Sequence, residues 1–215
     1  MKTRVISLRD YRFRKCNDSN KLLKFWDPCK GEFKGFLEIY QKKDNNLELL
    51  RKSNLIVYDG REIFPQILFN TNNPALGAGQ KDFWISWMSV GSGGCDPGDP
   101  LLPLEPDLED HTLAHEIVID LTDPDCTVDG HKKKITSVEF LQDLNNNNRY
   151  VIAKSIMVIT RDQCNGLNIN EAGLWFADTA NPGTVTTFKL ASRITFPTIY
   201  KTSSLELILA WYYYM

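Results

Sequence analysis

The residues best spaced for chemistry are His111 and His115, in the stretch Asp110-His111-Thr112-Leu113-Ala114-His115-Glu116. Two histidines four apart share one face of a helix, and an adjoining carboxylate would complete a zinc-type set. The stretch lacks, however, the internal glutamate that a zinc protease places between its histidines. On a strand the same two rings would point to one side but sit about 13 Å apart, too far for one ion. Asp123-Pro124-Asp125 with Asp129-Gly130 echoes a calcium loop. It fails the spacing, because that loop needs glycine at its sixth position and glutamate at its twelfth. Gly91-Ser92-Gly93-Gly94 has the glycine content of a phosphate loop without its lysine or following helix, and reads as a turn. No G-x-S-x-G elbow occurs, and no spacing singles out a pair of carboxylates. These features predict a chain that is not an enzyme, with no cofactor and no metal.

Charge carries more information than any motif. Residues 1–35 hold ten Lys or Arg against four Asp or Glu, whereas residues 95–129 hold eleven Asp or Glu and no Lys or Arg. The net charge of −2 conceals this polarity. A basic segment and an acidic one in the same chain predict head-to-tail pairing between copies, or a basic arm laid on an acidic neighbour. Nucleic acid is disfavoured as the arm's partner, because the remainder of the chain is net negative and opposes approach to phosphate. The arm also carries Val5, Ile6, Leu8, Tyr11, Phe13, Leu22, Leu23, Phe25 and Trp26, too apolar a set for a simple disordered tail. Its candidate partner-binding residues are Arg9, Arg12, Phe13, Arg14, Phe25 and Trp26.

An apolar content of 42% with 24% charged residues is that of a globular domain. No apolar run is long enough to cross a bilayer, so no membrane role is expected. The start of the chain has no apolar core of a secretory signal, which predicts synthesis in a reducing cytoplasm. Cys16, Cys29, Cys95, Cys126 and Cys164 form no C-x-x-C pair and read as free thiols. Cys16 and Cys29, in the arm, are also placed to cross-link neighbouring subunits in an oxidising medium.

The elements that must position these residues are mainly β. Residues 1–52 read as a basic, aromatic-bearing extension and 53–215 as the domain. Ile63, Phe64, Ile67 and Leu68 share a helical face, and Pro65 is tolerated only in a first turn, which predicts one short helix near 61–69. Phe83 to Val90 is apolar on both faces, as in an interior strand. A long acidic loop spans 91–112. Further strands are predicted at 115–121, 135–141, 150–160, 168–177, 184–196 and 204–214, separated by Asp-Gly, Asn-rich and Asn-Pro-Gly turns. Short strands at close spacing without intervening helices predict an antiparallel β-sandwich or barrel-like domain. In the last strand Leu205, Leu207, Leu209, Trp211 and Tyr213 share a face and read as core. The opposite face, with Tyr212 and Tyr214, suits either the core or another subunit.

Three stretches, taken in order, resemble a family of structural proteins in tailed-bacteriophage virions. They are Asn54-Leu55-Ile56-Val57-Tyr58-Asp59-Gly60; Trp84 to Gly94 with the later Leu113-Ala114-His115-Glu116-Ile117; and Ile169-Asn170-Glu171-Ala172-Gly173-Leu174-Trp175 followed by Ala191-Ser192-Arg193-Ile194-Thr195-Phe196-Pro197-Thr198-Ile199-Tyr200-Lys201, ending in Leu205 to Trp211. The resemblance covers about residues 53–213. It implies a β-rich, non-enzymatic virion component of the neck, tail, baseplate or fibre attachment. Its partners would be copies of itself, as a homo-oligomer, and other virion proteins. The alternative is a carbohydrate- or receptor-binding module of a fibre, or a head decoration protein. Within these stretches Glu171 is expected to pair with Arg193 or Lys201, as a local clasp or between subunits. Pro197 should end a strand or sit at an edge.

Overall fold

The computed structural model describes residues 35–43, 46–53, 55–57, 60, 83–142, 151–178 and 187–214. Among them the chain is mainly β, with strands β1 (Gly35–Lys43), β2 (Asn46–Ser53), β3 (Leu55–Ile56), β4 (Phe83–Gly91), β5 (Cys95–Asp96), β6 (Asp99–Pro103), β7 (Lys132–Lys134), β8 (Ser137–Gln142), β9 (Val151–Ile159), β10 (Asn168–Asp178), β11 (Phe188–Tyr200) and β12 (Leu205–Tyr214). One five-stranded sheet runs in the order β2-β1-β12-β9-β8 and a second in the order β3-β11-β10-β4-β7. A two-stranded hairpin, β5-β6, completes the set. Every pairing is antiparallel. Both large sheets are open, so the barrel-like alternative does not hold.

Side-chain alternation explains why these segments pair as they do. In β12 Leu207, Leu209 and Trp211 point to the main core, and Ile208, Ala210 and Tyr212 point to the other side with Tyr40. Leu37 and Ile39 of β1 and Met157 and Ile159 of β9 join the core face of the same sheet. From the second sheet come Met88 and Val90 of β4, Ala172 and Leu174 of β10, and Ile194 and Phe196 of β11. Trp211, Phe196 and Leu174 are fully buried. Each such side chain contributes about 1.5–3 kcal/mol through loss of apolar surface from water. A smaller cluster of Val57, Trp87, Leu113, Trp175, Ala177 and Leu190 lies apart from that core. Apolar residues therefore line both faces of β4, which makes it the interior strand expected from its composition.

Several expectations need correction. Residues 35–43 and 46–52, assigned by composition to the extension ending at 52, are built into the first sheet, where β1 pairs with β12 along its whole length. The polar run of β2 hid this, because an edge strand with most side chains exposed lacks an apolar signal. The strand expected at 115–121 is absent; only Glu116 makes an isolated bridge, to Gly91. The N–H groups of the segment go to separate acceptors, His115 to the Glu171 carboxylate, Ile117 to Val90 O and Ile119 to Gly130 O, so no continuous ladder forms. The acidic loop 91–112 contains the β5-β6 hairpin. Pro197 does not end β11 but lies past Ser192 and Arg193, the β11 residues that pair with β3, so on that side it sits at an edge among the described residues. It sits where the β10–β11 register slips, so that Asn170 alone lies between positions paired with Thr195 and Ile199. The bulge accommodates a residue with no N–H to give. The helix expected near 61–69 lies outside the described residues.

Candidate functional site

The separate motif stretches meet at Glu171, a side chain with no exposed surface. β10 carries it and the loop leaving β4 closes over it. Its Oε1 accepts the Gly93 N–H at 3.0 Å and the His115 N–H at 2.9 Å. Its Oε2 accepts the Ala114 N–H at 3.1 Å and the Arg193 Nε and Nη2 donors at 3.0 and 2.7 Å. Arg193, on β11, continues outward and gives Nη1–H to Asp110 Oδ2 at 2.7 Å. Burial alone would lower the Arg193 pKa, but the bonds to Asp110 and Glu171 outweigh it and hold the guanidinium above its ordinary value.

The glycines of the loop are required by this approach. A Cβ at Gly91 would lie 2.5 Å from Glu171 Oε1, and one at Gly94 would lie 2.3 Å from the Asn170 carbonyl oxygen. The neighbouring Asn170 repeats the theme, its Oδ1 accepting the Gly94 N–H at 2.7 Å and its Nδ2 donating to Thr198 Oγ1 at 3.2 Å. Backbone bonds from Ser92 N to His115 O and from Ile117 N to Val90 O, both 2.9 Å, tie residues 115–117 alongside the loop. The Gly-rich turn thus works as a set of backbone donors for internal carboxylate and amide oxygens.

What this arrangement can do chemically follows from its bond count. A carboxylate has about four lone-pair sites, and here five donors occupy them. Glu171 thus has its lone pairs engaged by donors of this chain. It is a charge-assisted clasp that holds β4, β10, β11 and residues 110–115 together.

Among the other expected site residues, Arg193 meets Glu171 in the local form of the clasp. Lys201 does not join it. Its Nζ donates to Arg161 O at 3.3 Å, Asn165 Oδ1 at 3.2 Å and Thr202 O at 3.1 Å, fixing the turn at 161–166. Burial lowers the Lys201 pKa. Glu171, Arg193 and Lys201 are all buried, so their bonds are made inside the chain. His111 and His115 do not converge; His115 Nδ1 lies 3.0 Å from Ser92 Oγ. No cluster of three or more His, Cys, Asp or Glu suited to a metal occurs among the described residues. Arg9, Arg12, Phe13, Arg14, Phe25, Trp26 and the Tyr214 side chain lie outside the described residues.

Tyr212 belongs to a second polar knot, on the face of the first sheet away from the main core. Tyr40 OH and Tyr212 OH both donate to Glu38 Oε2, the latter at 2.9 Å, and Arg51 Nε donates to Oε1 at 2.8 Å. The Phe36 ring stacks on Tyr212 with centroids 4.4 Å apart. Burial, reinforced by the Glu38 charge, pushes the Tyr212 hydroxyl far above its usual range. Glu38 is not among the expected site residues, although a lone acid within Phe36-Leu37-Glu38-Ile39-Tyr40 is a usable signal. A third knot joins Lys133, buried, to Asp123 Oδ2 at 2.8 Å and Gln163 Oε1 at 3.0 Å.

No family model matches the chain, and neither a curated protein nor a solved structure shows significant similarity to it.

Proposed function

We propose that this chain is a non-enzymatic structural subunit of a tailed-phage virion. In this reading it is a β-sandwich made in the host cytoplasm, which multimerises and bridges neighbouring virion proteins in the neck, tail or baseplate region. The observation that carries the reading is the clasp: the stretches on which the family resemblance rests, 91–94, 113–117, 169–175 and 191–195, supply the carboxylate, its backbone donors and its guanidinium. Their shared task is to fix loops rather than to turn over a substrate. The sandwich arrangement is supported by a single apolar cluster drawn from one face of each five-stranded sheet. Assembly is supported by edge strand β2, whose Leu47 and Leu49 are exposed.

The test is mass photometry and negative-stain electron microscopy of the purified full-length chain over a concentration series. A discrete closed multimer is expected. A strictly monomeric chain that also fails to incorporate into particles during infection would overturn the reading.

A further inference from the structure

The acidic stretch 95–129 holds both ion-paired acids and acids with no ion pair to a described residue, exposed Asp125 and Asp129 of its second half being among the latter. In the second half and at its border, Asp110, Glu116 and Asp123 are ion-paired to Arg193, Lys132 and Lys133. In the first half, around the β5-β6 hairpin, Asp99, Glu105, Asp107 and Glu109 are exposed and form no ion pair with a described residue. The same hairpin exposes Leu101, Leu102 and Leu104 by 71, 55 and 43%. Its base is rigidly held: Cys95 Sγ donates to Phe196 O at 3.2 Å, Leu104 N donates to Gly94 O at 2.9 Å, and Thr195 Oγ1 donates to Leu104 O. A pre-ordered ridge of leucines among uncompensated carboxylates has the composition of a contact surface for a cationic, apolar segment.

We infer that the β5-β6 hairpin with residues 105–109 is the dock for the N-terminal segment of a neighbouring copy of this chain. The inference rests on the assembly proposed above and names its contact. Thirty-four residues precede β1, with ten Lys or Arg against four Asp or Glu, and among them are Tyr11, Phe13, Phe25 and Trp26. The charge sign and the apolar content both complement the hairpin. A contact between one end of a chain and a different patch on the next is heterologous, and repeats around a ring. Opposite charges on the two surfaces set its register and speed its formation.

The experiment uses full-length chains in sedimentation velocity at low and moderate salt. One variant reverses the hairpin (Asp99→Lys, Glu105→Lys, Asp107→Lys and Glu109→Lys), a second reverses the segment (Arg9→Glu, Arg12→Glu, Arg14→Glu and Lys15→Glu), and a third removes the ridge (Leu101→Ser with Leu102→Ser). Each is expected to weaken association by about tenfold or more, a loss of about 1.4 kcal/mol, with near-ultraviolet circular dichroism unchanged because the hairpin positions are exposed. Mixing the two charge-reversed chains should restore association, since each then offers the other a matching surface. If the wild type multimerises but the reversals leave association unchanged, or if mixing restores nothing, this inference falls and the assembly reading stands. A monomeric wild type overturns this inference, and the assembly reading with it if the chain also stays out of particles.

Discussion

Arg193 stands opposite Gly173 on the β10–β11 ladder, yet its guanidinium bonds the carboxylate of Glu171, two residues along the same strand. Diagonal neighbours on a ladder lie within reach of a side chain as long as arginine, and a Cβ at Gly173 would instead meet Leu113, Leu190 and Trp175, each at 3.0 Å. Glu171→Gln keeps the shape but removes the charge and turns an amide donor toward backbone donors. It is expected to cost about 3–5 kcal/mol, the penalty for breaking a buried pair from one side. Urea denaturation of the single and double variants at Glu171 and Arg193 measures this. Additive losses would show that the two side chains do not act as a pair.

The loop glycines give a graded prediction. Gly94→Ala forces a methyl against the Asn170 carbonyl, whereas the same change at Gly98 meets only Asp96 Oδ1, at 3.2 Å. Overpacking of this kind costs about 1–3 kcal/mol. Gly94→Ala should therefore lower the melting temperature measurably and Gly98→Ala should leave it near the wild-type value. Equal shifts would mean that the loop yields to the added atom.

Acid should loosen the 120–134 segment through Asp123. The bond from Lys133, with the Asp125 N–H, holds the Asp123 carboxyl below its ordinary value of 3.8. A depressed folded value adds stability above pH 3.8 and loses it as pH falls through the lower folded pKa. Asp123→Asn should then be less stable than wild type by about 2 kcal/mol at pH 7, and the gap should close below pH 3.8. Thermal melts of both chains across that range are the check; a gap independent of pH would contradict the ion pair.

Thiol reactivity reports on the same region. Burial pushes both the Cys126 and the Cys164 thiols up to about 11 from an ordinary value of 9.0. A rise of that size lowers the thiolate fraction about a hundredfold at neutral pH. Iodoacetamide labelling read by peptide mass should be far slower at these positions in the native chain than in urea. Equal rates would place both sulfurs at the surface.

How much of this was legible in the sequence depends on where the signal is stored. The alternation of β12 and the two-sided apolar run of β4 are properties of single segments, and both predicted their strands. The Glu171–Arg193 clasp was legible as a pair because both residues lie in short motifs of unusual composition. Its donors at Gly93, Ala114 and His115 were not, since backbone N–H groups leave no trace in residue type. Lys201 looked equally suited to Glu171, but the register slip beside Pro197 and the turn at 161–166 take it to neutral oxygens instead. The absence of a strand at 115–121 reflects N–H groups that go to scattered acceptors, His115 to Glu171, Ile117 to Val90 and Ile119 to Gly130, which apolar alternation conceals.

The position of β12 between β1 and β9 has a consequence for how the chain is made. The hairpins β1-β2 and β8-β9 leave the ribosome well before Leu205, but neither has a partner for its inner edge until β12 emerges between them. A product stopped short of Leu205 would carry two hairpins with exposed apolar edges and nothing to join them. Translation to the last strand is thus the step that completes the first sheet, and a copy stopped short of it presents unpaired strand edges of the kind that aggregate.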